Sequence, residues 1–310
     1  MTRLRTPFCT LVGCELPIVQ APIGSAATVE LVVAVSEAGG LGVLAGSWLE
    51  LDRLRDSICR IRAATTRPFA VNLVLQWDQR ARVAACLETG VPVLSFFWGD
   101  PSPHVADCHA AGALVLHTIA TAAEAKRAVA LGVDCVVAQG VEAGGHVWGE
   151  VATFPLVPAA VDAVAPVPVV AAGGIADGRG LVAALALGAA GVWLGTRFVA
   201  SAEANAHPRW QQAMLESSER ATTLTTLFDR GWEEAPARVL RTALVESWEA
   251  AGSPLGERYR DDSPLRGDPS PELRANYAGQ SVGLVRDVAP AAELVRRIAN
   301  EAEATLERLA

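Results

Sequence analysis

Of the five histidines in this 310-residue chain, His146 has the most suggestive setting. It follows two glycines in Gln139-Gly140-Val141-Glu142-Ala143-Gly144-Gly145-His146-Val147-Trp148-Gly149. An imidazole titrating near pH ~6.5 can take or give a proton close to neutrality. His146 is therefore a candidate proton-transfer residue, and a loop-ordering hydrogen bond is the structural alternative. Two other glycine-rich turns could bring backbone close to an anion: Ala171-Ala172-Gly173-Gly174-Ile175-Ala176-Asp177-Gly178-Arg179-Gly180 and Leu194-Gly195-Thr196-Arg197. Amides at a following helix N-terminus would point the same way, so a phosphate-bearing cofactor or substrate is expected there. Asn72 and Gln139 are non-titrating amides that can both donate and accept. They either hold a planar heterocycle or satisfy backbone groups at strand ends.

Other chemistries find no residues. There is no HxH or HExxH spacing for zinc or iron, and the single GxSxG spelling, Gly279-Gln280-Ser281-Val282-Gly283, follows no apolar strand run that would make it a nucleophile elbow. Lys126 is the only lysine and lies in the helix-like Ala122-Ala123-Glu124-Ala125-Lys126-Arg127-Ala128, so Schiff-base catalysis is excluded. The cysteines at 9, 14, 59, 86, 108 and 135 form no CxxC pair and read as buried reduced thiols.

The elements that must position these residues alternate regularly. Apolar, β-rich runs begin near Pro17, Leu41, Pro68, Pro92, Leu114, Cys135, Pro168 and Gly191, with helical spacing over 28–38, 49–63, 78–89, 121–131 and 178–188. Intervals of roughly 20 to 33 residues are those of successive βα units. Runs such as Val167-Pro168-Val169-Val170-Ala171-Ala172 are apolar on both faces, as in a parallel sheet covered on both sides. Eight such units predict an α/β fold, a (β/α)8 barrel over residues 1–217, with His146 and the glycine turns at its C-terminal face. Residues 218–310 are expected to form a cap over the barrel mouth, with a helix over 236–250, a polar loop at 252–271 and a last helix over 289–309. Hydrophobic residues make up 51% of the chain and its formal charge is −8. That charge argues against nucleic acid as a partner. No apolar run reaches the roughly 20 residues of a membrane span and no signal-like apolar segment follows Arg3 and Arg5, so a cytoplasmic location is expected.

In order along the chain, Pro17–Ile23, Ser36–Gly42, Pro68–Leu73, Gln139–His146, Ala171–Gly178 and Val192–Phe198 together resemble the nitronate monooxygenase family, formerly the 2-nitropropane dioxygenases. The resemblance implies a TIM-barrel flavoprotein with noncovalent FMN. It implies that Ala21, Pro22 and Ile23 line the isoalloxazine, that Asn72 and Gln139 bond the flavin or its ribityl chain, and that Gly144 and Gly145 approach it. Gly173, Gly174, Trp193, Leu194, Gly195 and Thr196 would surround the phosphate, with His146 as base. The partners implied are a small-molecule nitronate or nitroalkane and dioxygen; a homodimer is one assembly the sequence leaves open, and it does not fix the oligomeric state. Carbonyl compound and nitrite would be the products. Two departures stand out: Thr118 replaces a lysine found near the flavin in some relatives, and Trp193 replaces a frequent glutamine. Related barrels sharing the EAGGH and AAGGI elements use NAD(P)H to reduce enoyl groups or quinones, and that is the alternative activity.

Overall fold

In the computed structural model, which describes residues 4–228, 232, 235–252 and 275–310, every one of the eight apolar runs is a strand. The elements are α1 (Pro7–Val12), β1 (Ile18–Gln20), α2 (Val29–Glu37), β2 (Gly42–Ala45), α3 (Leu51–Ala64), β3 (Phe69–Val74), α4 (Arg80–Glu88), β4 (Val93–Phe97), α5 (Ser102–Ala110) and β5 (Leu114–Ile119). They continue with α6 (Ala122–Ala130), β6 (Cys135–Gln139), β7 (Gly145–His146), α7 (Thr153–Val164), β8 (Val169–Ala172), α8 (Gly178–Ala186), β9 (Gly191–Leu194), α9 (Thr196–Val199) and α10 (Pro208–Leu215). Beyond these lie β10 (Thr222–Thr225), β11 (Ala237–Leu240), α11 (Ala243–Ala250) and α12 (Ala291–Leu309).

The sheet runs β1-β9-β8-β6-β5-β4-β3-β2, all parallel. A single bridge, Val19 to Leu41, closes it into a barrel. Gln20 reinforces that seam: its amide donates to Val43 O and accepts from Val43 N, both at 3.1 Å. The fold is the TIM-barrel-like α/β architecture that the sequence pattern predicts.

Strand alternation sorts the core into two layers. Ile18, Leu44, Val71, Leu94, Val115, Val136, Ala171 and Leu194 face the helices, whereas Val19, Val43, Ala70, Val93, Leu116, Val137, Val170 and Trp193 fill the barrel. Helix α1 plugs the lower end, where Phe8 and Cys9 are fully buried against the inner layer. At the upper end the same parity turns Asn72, Thr118 and Gln139 inward.

Helix α7 follows the glycine loop between β6 and β8, with Pro155 in its first turn and Pro158 in its interior. Two elements depart from expectation. Within 236–250, residues 237–240 form β11, antiparallel to β10 and to β7, and only the remainder after the Thr242 cap is helical. Tertiary pairing with His146 outweighs local helix preference there. The last helix does not lie over the mouth. Its apolar face (Leu294, Val295, Ile298, Ala302) packs on α8 and α2, in the outer ring where an eighth barrel helix belongs. The polar stretch expected at 252–271 lies, beyond Gly252, outside the described residues.

Candidate active site

A cavity of about 630 Å3 opens at the C-terminal ends of the strands, within the roughly 300–1,000 Å3 of ordinary ligand sites. Ala21, Pro22, Ile23, Asn72, Gln139, Gly144, Gly145, His146, Gly173, Gly174, Trp193, Gly195 and Thr196 all line it, as does Thr118. Leu194 does not. Next to the inward Trp193, it points outward and is 1% exposed among the ring helices, so it presents no side chain to a ligand. Among the described lining residues the ionisable side chains are His146, His207 and Tyr277, with no Lys, Arg, Asp or Glu. The positive charge missing at Thr118 is thus not supplied from elsewhere among these residues.

The wall around His146 is aromatic, and most of it escaped the sequence reading. Trp48, Trp77, Phe97, Trp232 and Tyr277 line the cavity. Trp98 and Trp148 meet edge to face behind this wall, with ring centroids 4.5 Å apart. The His146 Nε2 is buried with no hydrogen-bond partner among the described residues. Burial pushes its pKa down to about 4, leaving the imidazole uncharged at neutral pH. Tyr277, pushed up to about 12 by burial, is an un-ionised phenol.

Backbone bonds fix where His146 stands. It pairs with Ala237 across β7 and β11, and Val147 N donates to Pro236 O at 2.9 Å. Gln139 spans the loop with both ends of its amide, donating Nε2 to His146 O and accepting from Trp148 N, each at 3.0 Å. Its main task is therefore to order the loop. Gln139→Leu leaves both backbone groups unpaired, at about 1–3 kcal/mol each. The variant should lose several degrees of thermal midpoint together with catalytic rate, and an unchanged melting curve would contradict this role. Asn72 likewise donates Nδ2 to Ser95 O and Oγ at 3.2 Å.

The anion-binding end is built differently from expectation. The first amides of α8 are already taken: Gly178 N donates to Glu301, while Arg179 N and Gly180 N donate to Asp177 Oδ1. A phosphate cannot use that helix N-terminus without displacing its own carboxylates. What remains are the Gly173-Gly174 turn, with φ of +103° and +72°, and Gly195 with the Thr196 hydroxyl. The Thr196 Oγ1 accepts from Gly279 N at 2.9 Å, which leaves its proton available to a ligand. Gly144 is glycine for a structural reason, since a Cβ there would meet Gly279 N at 2.5 Å. Glu142 of the same motif accepts from Thr153 N and Oγ1 at 2.9 Å, anchoring α7 to the loop. The cavity size, neutral donors and glycine turn fit a flavin mononucleotide-sized group with one phosphate.

His117, beside Thr118, faces the helices instead, with Nδ1 buried and unpartnered and its pKa lowered to about 4 by burial. Both histidines thus have folded values below the unfolded ~6.5. Between these values the unfolded chain binds protons that the native state does not, so stability is retained above ~6.5 and declines as pH falls toward ~4. Urea unfolding across that window should show the decline, and His117→Gln should flatten it; an identical slope would count against burial as the cause.

The fold and site define a TIM-barrel-like α/β protein with a ligand-sized cavity at the C-terminal ends of its strands. The comparisons narrow this: the nitronate monooxygenase family model matches residues 5–301, and the chain belongs to that family. It is 42% identical, over 82% of its length and 71% of the relative's, to a Mycobacterium tuberculosis protein, (3aS,4S,5R,7aS)-5-hydroxy-7a-methyl-1-oxo-octahydro-1H-indene-4-carboxyl-CoA dehydrogenase. Among solved structures, FabK from Thermotoga maritima superposes with a TM-score of 0.86 at 37% identity, covering 98% of each chain. Nitroalkane oxidase from Streptomyces ansochromogenes gives 0.86 at 32% identity, covering 98% of this chain and 99% of the other. No helix among the described residues is long and apolar enough to cross a membrane.

Proposed function

We propose that the flavin is FMN and that the enzyme oxidises alkyl nitronates, and the nitroalkanes that give rise to them, with dioxygen to a carbonyl compound and nitrite. The observation that carries this reading is His146: an uncharged imidazole on the cavity wall whose Nε2 has no partner among the described residues. Bound FMN supplies the electron acceptor, and the protein supplies orientation and electrostatics. Gly173, Gly174, Gly195 and Thr196 hold the phosphate through neutral donors, with Trp193 alongside. Ala21, Pro22, Ile23 and Asn72 line the ring system, and Gly144 and Gly145 border it. The His146 imidazole takes the α-proton of a neutral nitroalkane. The imidazolium and the nitronate so formed then stabilise each other as opposite charges in a dry site. The aromatic wall excludes water from that pair.

A second reading, nicotinamide-linked redox chemistry on an acyl thioester, is favoured by the 42% identity to a carboxyl-CoA dehydrogenase. Nitroethane and its preformed nitronate, each supplied in air to purified enzyme, test the first reading. Oxygen uptake matched by nitrite is the expected result. No nitrite from either substrate, with oxidation of NADH or NADPH in its place, would move the enzyme to the second.

A further inference from the structure

Trp232 lies nearly face to face on His146, with ring centroids 4.0 Å apart and planes 24° apart. The indole is only 3% exposed and is itself clamped edge-on by Trp77 at 5.2 Å, Trp98 at 4.6 Å and Phe97 at 6.2 Å. Edge-to-face contacts of this kind favour one ring orientation beyond simple burial. The indole plane is therefore set from three sides, and it sets the imidazole plane in turn. Gln139 and β11 hold the backbone of His146, and Trp232 holds its ring.

Among the described residues, the charged and titratable groups on the surrounding elements are engaged elsewhere. Glu142 bonds Thr153, Arg238 of β11 donates to Val141 O, and Asp100, next to the Trp98 turn, accepts from Ser102. Tyr277, 5.8 Å away, is un-ionised. None of these compensates a proton on the imidazole. An indole face attracts a cation by about 0.5–2 kcal/mol, but a protonated Nε2 would have neither water nor an acceptor. Desolvation wins, in line with the pKa of about 4.

We propose that Trp232 is a positioning residue for His146: its stacked indole fixes the plane of the imidazole and keeps water off it, so that the ring remains an uncharged proton acceptor. The inference rests on the reading of His146 as that acceptor, but it can be tested without turnover. The experiment is an NMR pH titration of the His146 ring in flavin-loaded enzyme, assigned by loss of the signal in His146→Gln. Wild type should titrate near pH 4, and Trp232→Phe, which keeps a stacked ring, should stay within about half a unit of it. Trp232→Ala should rise by more than about one unit toward ~6.5. The acidic limb of kcat/KM with nitroethane should move up by the same amount. No rise in Trp232→Ala, or an equal rise in Trp232→Phe, would overturn the proposal. Should Trp232→Ala fail to fold, Trp232→Leu answers the same question. An enzyme inactive on nitroalkanes would leave the ring titration as the deciding measurement, so failure of the functional reading and failure of this inference are separable.

Discussion

Replacing His146 with alanine lowers kcat/KM for nitroethane by about 10²–10⁴-fold, the usual worth of a positioned general base, while bound flavin stays near the wild-type level. The imidazole makes no hydrogen bond through Nε2 among the described residues, so its removal leaves no buried partner there unsatisfied. The backbone bonds that place the loop, from Gln139 to His146 O and across to Ala237, do not depend on the side chain. The loss should also depend on substrate. A preformed nitronate has no α-proton to surrender, so its oxidation should fall far less than that of the neutral nitroalkane. Parallel steady-state assays with the two forms check this. Equal losses for both would mean that His146 shapes the cavity without moving a proton.

Gly173→Ala should cost the enzyme its cofactor. At φ +103° a non-glycine residue carries a penalty of about 1–2 kcal/mol. The new Cβ would also stand 2.9 Å from Thr153 Oγ1, 3.0 Å from Gly140 O and 3.1 Å from Ala143 N. Two of those neighbours are backbone and the third is tied into the Glu142 network, so the turn itself must move. The expected outcome is at least a ~10-fold weaker FMN affinity, since one lost charge-assisted hydrogen bond of about 1.5–3 kcal/mol suffices for that. Gly112→Ala is the control: it has a similar positive φ of +75°, open space around its Cβ and no place on the cavity wall. It should destabilise the fold slightly and leave FMN binding unchanged. Fluorescence titration of apo-protein with FMN reads both variants, and equal affinities would remove the Gly173 turn from the phosphate site.

These expectations trace back unevenly to the sequence. The barrel was legible because each strand's apolar run is short, buried on both faces and separated by a helical repeat. The inward placement of Asn72, Thr118, Gln139 and Trp193 follows from period-two alternation, and the same alternation, applied one residue further, would have removed Leu194 from the cofactor contacts. The occupied N-terminus of α8 was half visible. Asp177 is an ordinary capping residue two positions before Arg179, but Glu301 reaches Gly178 from 123 residues away. The aromatic wall was not visible, because Trp48, Trp77, Phe97, Trp232 and Tyr277 come from separate segments whose meeting is set by barrel closure. The strand at β7 and β11 was hidden for a related reason: two residues of a glycine loop carry no strand pattern until Ala237 pairs with them.

In the proposed function, this cavity brings a nitro compound to a flavin beside an uncharged His146. An anaerobic absorbance titration of the flavin-loaded enzyme tests it most directly, with ethylnitronate in one cuvette and NADPH or NADH in another. Ethylnitronate alone is expected to bleach the flavin band, with nitrite formed once air is admitted. Bleaching by the nicotinamide, with no response to ethylnitronate, would contradict it.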